Sequence, residues 1–544
     1  MKKLFATVLA LVMMLSVMSV TAFAADSYTI SVPTDDSHSY AVYQIFTGDL
    51  SDGVLSNVKW GANGTIKTGA VSKDVLTALE AVKDSTSNTA KLAVINQYVD
   101  LDSTPVATVS KTDSYSAAPG YYLIKDSGAV ASDDAYTTYI VEIVEDVSIS
   151  RKANVPTVDK EIMDPTETKT NEASIGDKVN YQITGTLPSN LDDYNTYYYQ
   201  FNDTMSKGLT YTANSMKVTV DGKDLTEYFY INASEYSNTD GTTITVSIQD
   251  LLALSNLEGV NITKDTKVVL SYSATLNENA VIAGEGNPND VTLKYSNNPN
   301  DSGKPTTNPP TPPTEEPEPK TPTGVTPKSE VKTYTTELTI TKINDKDQIL
   351  TGAEFQLTGN GVNVVITTGK YYVVDDNGSY WKLKDGSYTM QDPNTEGMDK
   401  TKYADTTTKY SVEDEVVCNT KGENAVAAKA FVDDNGKLTF TGLGAGKYTL
   451  TETTTPAGYN TIAPIEFTVG FQVNEDKTVQ FTSDNANVVV GATNTLATTV
   501  VNQAGATLPE TGGIGTRIFY AVGGILLIGA AVMLVAKKRM DAED

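Results

Sequence analysis

The stretch Tyr448-Thr-Leu-Thr-Glu-Thr-Thr-Thr-Pro-Ala-Gly-Tyr459 opens with strict alternation of apolar and polar residues. In an extended strand, side chains at every second position share a face, which here puts Tyr448, Leu450 and Glu452 together. If the tyrosine and leucine face a core, a carboxylic acid faces it with them. Two distant segments carry the same anomaly. Leu338-Thr-Ile-Thr-Lys-Ile343 puts Lys342 on the face of Leu338 and Ile340, and Gly491-Ala-Thr-Asn-Thr-Leu496 puts Asn494 on the face of Ala492 and Leu496. A lysine, an acid and an amide are thus directed into one apolar interior. Buried charge is costly, and burial lowers a lysine pKa while raising a glutamate pKa, so both groups can become neutral. A neutral amine is a nucleophile, and a protonated carboxyl can polarise an amide carbonyl and move protons. The product would be a Lys342–Asn494 isopeptide bond, with ammonia lost and Glu452 as the acid.

An upstream region repeats the pattern. Val158, Lys160 and Ile162 share one face; Tyr199, Phe201 and Asp203 share another; Val291, Leu293, Tyr295 and Asn297 share a third. Alternation selects Asn297 over Asn298 as the amide partner of Lys160, with Asp203 as the acid. First and last strands are often neighbours in Ig-like sandwiches, which makes both pairings sterically reasonable. The segment Tyr28 to Val32 contains no lysine and Pro119-Gly-Tyr-Tyr-Leu-Ile-Lys-Asp126 no glutamate, so no such bond is expected near the N-terminus.

Composition narrows the class. The chain has 544 residues, a net charge of −27, one histidine and one cysteine. So acidic a chain is a poor nucleic-acid partner. His38 has no companion histidine, which removes histidine-based metal sites and triads. Cys418 reads as a small buried apolar residue. Abundant Tyr, Thr and Val between Gly, Asn and Asp turns point to mainly β-structure, and the fold expected for it is a series of Ig-like β-sandwich domains.

Five internal segments follow. Residues 25–152 form a first domain of strands with two short helices, one capped by Ser72 with Val75, Leu76, Leu79 and Val82 on its apolar face, the other around Leu92, Ile95 and Val99. Residues 153–301 are nearly all strand. Residues 302–332, including Asn308-Pro-Pro-Thr-Pro-Pro-Thr-Glu-Glu-Pro317, read as an extended, semi-rigid spacer. Residues 333–503 form a third domain, with hairpin signals at Asp375-Asp-Asn-Gly378 and Asp433-Asp-Asn-Gly436. Turn chemistry accounts for these acidic pairs, full calcium-loop spacing is absent, and no metal or cofactor is expected. Residues 504–513 carry Leu508-Pro-Glu-Thr-Gly512.

Both ends read as processing signals. Residues 1–24 combine Lys2 and Lys3, an apolar stretch and Ala22-Phe23-Ala24, which together read as a secretory leader. After Gly512, residues 514–536 hold an apolar run from Phe519 to Ala536, long enough to span a bilayer, and residues 537–544 begin with the basic cluster Lys537, Lys538 and Arg539. Pro509 keeps its segment extended, and Gly512 leaves room at a scissile bond.

This C-terminal order resembles the cell-wall sorting signal of Gram-positive surface proteins. The resemblance implies that a sortase reads Leu508, Pro509, Glu510, Thr511 and Gly512, cuts after Thr511 and passes its carbonyl to an amine. Tyr43-Gln-Ile-Phe-Thr-Gly48 with Val58-Lys-Trp-Gly61 resembles the N-terminal domain of Gram-positive pilus backbone subunits, and Phe201-Asn-Asp-Thr-Met-Ser-Lys-Gly-Leu-Thr-Tyr211 resembles their middle domain. Tyr448 to Tyr459 resembles the E-box of collagen-adhesin B-type domains, with Thr455 where alanine is usual; this implies the same roles for Lys342, Glu452 and Asn494. The family carries an acceptor lysine between its first and second domains. Here that junction is Val147-Ser-Ile-Ser-Arg-Lys-Ala-Asn154, where Lys152 falls on the polar face, with Ser150-Arg151-Lys152 replacing the usual Tyr-Pro-Lys. Lys169 is the exposed alternative.

The resulting expectation is a non-enzymatic structural subunit of a sortase-assembled pilus, polymerised by joining Thr511 to Lys152 of the next copy. It would be secreted, held briefly in the membrane and then linked to peptidoglycan. Its partners would be a sortase, other copies of the chain, minor pilins and peptidoglycan, with host surface ligands as further candidates. A single-copy wall-anchored adhesin is the alternative.

Overall fold

The computed structural model describes residues 27–82, 88–149, 154–164 and 168–505. The leader, Lys152, the Leu508–Gly512 motif and the apolar C-terminal run lie outside these residues. Among the described residues no helix is long and apolar enough to cross a membrane.

The first domain is built on the long strand Ser39–Ser51, which pairs with Val54–Trp60, Ala107–Ser110 and Gly120–Asp126; the last of these pairs in turn with Thr138–Ile143. The helix Lys73–Val82 is capped by Ser72, whose Oγ accepts from the Val75 amide at 3.4 Å, and Val75 is its buried anchor. A second helix spans Asn88–Ile95. Tyr28–Ser31 leaves the main sheet and pairs with Tyr115–Ala117 and Val147–Ser148.

The middle domain is a two-sheet sandwich. One sheet is centred on Tyr199–Met205, flanked by Thr242–Ile248 and Asn287–Ser296. The facing sheet contains Val158–Ile162, Lys178–Gly185 and Val268–Leu276 in that order. Tyr181, Ile183, Phe201, Leu270 and Leu293 fill the space between, all at most 1% exposed. The first strand, Val158–Ile162, therefore faces Asn287–Ser296 across the core rather than sitting beside it.

The segment 302–332, expected as an extended, semi-rigid spacer, lies docked on the middle domain. Its non-proline stretches enter the middle-domain sheet: Thr323–Val325 and Ser329–Tyr334 both pair with Asn287–Ser296, and Val331 is 1% exposed. Prolines cannot donate to a ladder, but carbonyls in such a run still accept. Asn256 Nδ2 donates to the Thr306 and Asn308 carbonyls at 3.0 and 3.1 Å, and the Tyr198 hydroxyl donates to the Pro317 carbonyl at 3.1 Å. The segment is a strap along the middle domain.

Past the strap, only Thr335 separates Ser329–Tyr334 from Thr336–Asn344, the first long strand of the third domain. That domain is a second sandwich. Thr336–Asn344 lies between Lys437–Leu443 and the parallel last strand Leu496–Asn502, while Gly446–Thr454 pairs with Glu354–Gly359 and Ile465–Val473. The acidic segments close as tight turns, with Gly378 and Gly436 amides donating to the Asp375 and Asp433 carbonyls at 2.8 and 3.0 Å. They are not the expected hairpins: Val364–Val374 pairs with Tyr410–Asn419, and Lys429–Phe431 and Lys437–Leu443 each pair with Val364–Val374 instead of with each other. The second and third domains also touch directly: the Ile175 amide donates to the Gly442 carbonyl at 3.0 Å and the Ala445 amide to Glu172 Oε2 at 2.6 Å.

Candidate functional site: two buried amine, acid and amide clusters

Lys160 lies mid-strand, opposite Ile183, and is 0% exposed. Its Nζ forms an ion pair with Asp203 and donates to the Tyr272 hydroxyl at 2.8 Å and to Asn289 Oδ1 at 2.5 Å. Asp203, 1% exposed, sits opposite Val291. Tyr272 donates to Asp203, its hydroxyl being 2.9 and 3.1 Å from the two carboxylate oxygens, and accepts from Asn289 Nδ2 at 2.8 Å. Lost hydration lowers the Lys160 pKa to about 8, against the opposing pull of Asp203. The same burial pushes the Asp203 carboxyl up, against Lys160. Both shifts favour passage of a proton from amine to acid. A buried ion pair is weak evidence for stability, since its desolvation cost rivals its attraction. A strongly perturbed pair holding an amide carbon within reach is what nucleophilic acyl substitution requires.

Asn297 is not in this cluster. The strand ends at Ser296, and the Asn297 side chain turns toward the first domain, where Nδ2 donates to the Asp134 carbonyl at 3.1 Å. The Tyr136 amide donates to the Asn297 carbonyl at 2.7 Å. Asn289, on the same strand and of the same parity, takes the place beside Lys160. Alternation cannot choose among Asn287, Asn289 and Asn297; the choice is made by the cross-strand register that sets Asp203 against Val291.

The third domain repeats the arrangement with a second correction. Lys342 is 0% exposed, and its Nζ donates to the Ile343 and Val500 carbonyls, each at 3.1 Å. Burial lowers its pKa to about 8, with Glu452 opposing. Glu452, 4% exposed, accepts from Asn502 Nδ2 at 3.0 Å and from the Ile462 amide at 3.1 Å through Oε2. Glu452 Oε1 and Asn502 Oδ1 are buried without a hydrogen-bond partner. Lys342 is in register with Val500 on the parallel neighbour, so Asn502 is its diagonal neighbour on the same face, within reach of a long side chain. Asn494 lies elsewhere. It precedes the strand, in a turn with φ 63°, a left-handed conformation that asparagine tolerates. Its side chain accepts from the Phe481 amide at 2.7 Å and donates to the Val479 carbonyl at 3.3 Å, tying the turn to a neighbouring strand.

Among the described residues of the first domain no lysine is buried. Lys169 is half exposed and ion-paired with Asp159. Cys418 is fully buried with its thiol pKa raised by burial, and Thr367 Oγ1 is 3.4 Å from its sulfur. Among the described residues no group of three His, Cys, Asp or Glu side chains could hold a metal ion.

Comparison with known proteins adds three matched segments. Residues 175–299 match the Gram-positive pilin backbone subunit 2, Cna-B-like domain; residues 336–487 match the SpaA prealbumin-like fold domain; residues 500–542 match the LPXTG cell wall anchor motif. The chain is 26% identical over 406 residues to the trypsin-resistant surface T6 protein of Streptococcus pyogenes serotype M6, covering 71% of this chain and 70% of that one. It is 27% identical over 378 residues to the fimbrial subunit type 2 of Actinomyces naeslundii, covering 67% of this chain and 58% of the relative. Among solved structures, the T6 backbone pilin of S. pyogenes aligns over 89% of this chain and 100% of its own, with 16% identity and a TM-score of 0.47. The major pilin SpaD of Corynebacterium diphtheriae aligns over 89% of this chain and 98% of its own, with 15% identity and a TM-score of 0.41.

Proposed function

We propose that this chain, a Gram-positive pilin backbone subunit by its matched domains and wall anchor, is polymerised into a covalent pilus and cross-linked internally in its second and third domains. The observation that carries the internal chemistry is the repeated burial of a lysine, an acid and an asparagine in two separate cores. In each, the amine attacks the amide carbon, ammonia leaves, and the acid holds and returns the proton. The bonds are Lys160–Asn289 and Lys342–Asn502, with Asp203 and Glu452 as the acids. Each forms once, so the protein is a substrate and a structural part rather than a turnover enzyme.

Assembly uses the sorting motif. A sortase cleaves after Thr511 and passes the carbonyl to Lys152 of another copy, the terminal subunit being passed to peptidoglycan instead. Support comes from the anchor match over residues 500–542 and from the place of Lys152 between the first two domains. Lys152→Ala in the producing cell should remove the ladder of covalent multimers from wall extracts while anchored monomer remains. Persisting multimers would show that another lysine is the acceptor, and Lys169 would be tested next.

A further inference from the structure

The two clusters differ in how the acid reaches the leaving nitrogen. In the third domain Glu452 Oε2 accepts directly from Asn502 Nδ2 at 3.0 Å. In the middle domain the acid is an aspartate, one methylene shorter, and its hydrogen bonds go to Lys160 and Tyr272. The Tyr272 hydroxyl fills the gap, 2.8 Å from Asn289 Nδ2, 2.9 Å from Asp203 Oδ1 and 2.8 Å from Lys160 Nζ. It touches all three reacting groups.

We propose that Tyr272 is a catalytic residue of the middle-domain cross-link, relaying a proton from Asp203 to the departing Asn289 nitrogen. This rests on the reading of that cluster as an isopeptide-forming site. A phenol has one proton to give and lone pairs to receive another, so it can donate to Nδ2 as it accepts from the acid. Tyr272 is 3% exposed, on the strand Val268–Leu276, and its ring lies against Tyr181 and Tyr211 at centroid distances of 5.3 and 6.2 Å. Those neighbours fix the ring, and with it the position of the hydroxyl.

The step balances. Lys160 first gives a proton to Asp203, leaving a neutral amine and a neutral acid. The Nζ–Cγ bond forms to Asn289 and the Cγ–Nδ2 bond breaks. Asp203 passes its proton to the Tyr272 oxygen as the Tyr272 proton moves to Nδ2, which leaves as ammonia. The proton released by Nζ on forming the amide returns to the carboxylate. Nothing is oxidised or reduced, and Tyr272 ends as it began.

The test follows newly translated chain, residues 25–511, by intact mass and by mapping of cross-linked peptides. In Tyr272→Phe the packing is kept and the hydroxyl lost. Loss of the middle-domain ammonia should slow roughly 100-fold, the scale of one general acid–base contribution. The third-domain loss should keep its wild-type rate. If Tyr272→Phe leaves the middle domain unfolded, the double variant Asp203→Glu, Tyr272→Phe decides instead, because the longer acid should reach Nδ2 as Glu452 does. Bond formation in that variant supports the relay, and a folded double variant without the bond overturns it. Tyr272→Phe cross-linking as fast as wild type, with Asp203→Ala unable to cross-link, overturns the role of Tyr272 alone. A wild-type chain without the Lys160–Asn289 bond overturns the reading of the site itself.

Discussion

Pulling a single subunit between Lys152 and Thr511, the points where tension would enter and leave it in a pilus, should release only one stretch of chain. The load passes from Lys152 to Lys160, crosses the bond to Asn289, follows the backbone to Lys342, crosses to Asn502 and exits. Everything enclosed by the two bonds is shielded. The unprotected stretch is the end of the strand Asn287–Ser296, the proline-rich strap, Ser329–Tyr334 and the start of Thr336–Asn344. It holds about 50 residues, whose fully extended length is ~180 Å at most. The observed extension will be smaller by the folded separation of its ends. The strap is held by ladder pairing to Asn287–Ser296 and by carbonyl contacts to Asn256 and Tyr198, so its release should be a discrete event set by an unfolding barrier. In Lys342→Ala the third domain is unshielded, and about 160 further residues should add a step of up to roughly 550 Å. Lys160→Ala should add a comparable step from the middle domain. The assay is single-molecule force spectroscopy with handles at positions 152 and 511. Domain-length steps in the wild-type trace would refute the claim that the cross-links follow the line of force.

Three further outcomes follow from the same geometry. Glu452→Gln should block the third-domain bond; a cross-link closing a loop of about 160 residues removes ~5 kcal/mol of chain entropy from the unfolded state. For a domain of this size that loss should lower the calorimetric Tm by roughly 10–20 °C, and an unchanged Tm would count against the bond. In Asn502→Ala, which keeps Glu452 but lacks the amide partner, Lys342 remains an amine with a folded pKa of about 8 against an ordinary value of 10.5, so between these pH values the unfolded chain holds a proton that the folded one lacks. Stability should therefore rise with pH across that window, by roughly 3 kcal/mol in all, relative to a wild type whose Lys342 is an amide. Parallel urea melts at pH 7 and pH 10 measure the difference, and equal slopes would contradict it. Finally, Asn502→Ala should abolish the third-domain ammonia loss while Asn494→Ala leaves it intact; the reverse result would restore the turn asparagine as the partner.

The fold class, the two helices and the acidic residues of both sites were legible because each is local. Alternation sets the parity of Lys160, Asp203, Lys342 and Glu452, and parity alone identifies a charge directed into a core. The amide partners were not legible for the same reason. Asn289 and Asn297 share a parity, as do Asn494 and Asn502, and each wrong choice lay just beyond the end of its strand, where alternation no longer governs direction. Only cross-strand register separates them, and register is set by pairings distant in sequence. The strap is another non-local feature: its composition speaks for an extended chain, but its docking depends on the free edge of Asn287–Ser296. Tyr272 gave no signal, being one more apolar-face aromatic until Asp203 and Asn289 are placed around its hydroxyl.

Two specific amide bonds are proposed to tie these domains shut. Intact-mass measurement of folded wild-type chain 25–511, followed by tandem mass spectrometry of its proteolytic peptides, tests this directly. The expected mass is two ammonias below that of the sequence, with branched peptides joining Lys160 to Asn289 and Lys342 to Asn502. A mass equal to that of the linear chain, or branches at Asn297 or Asn494, would contradict the proposal.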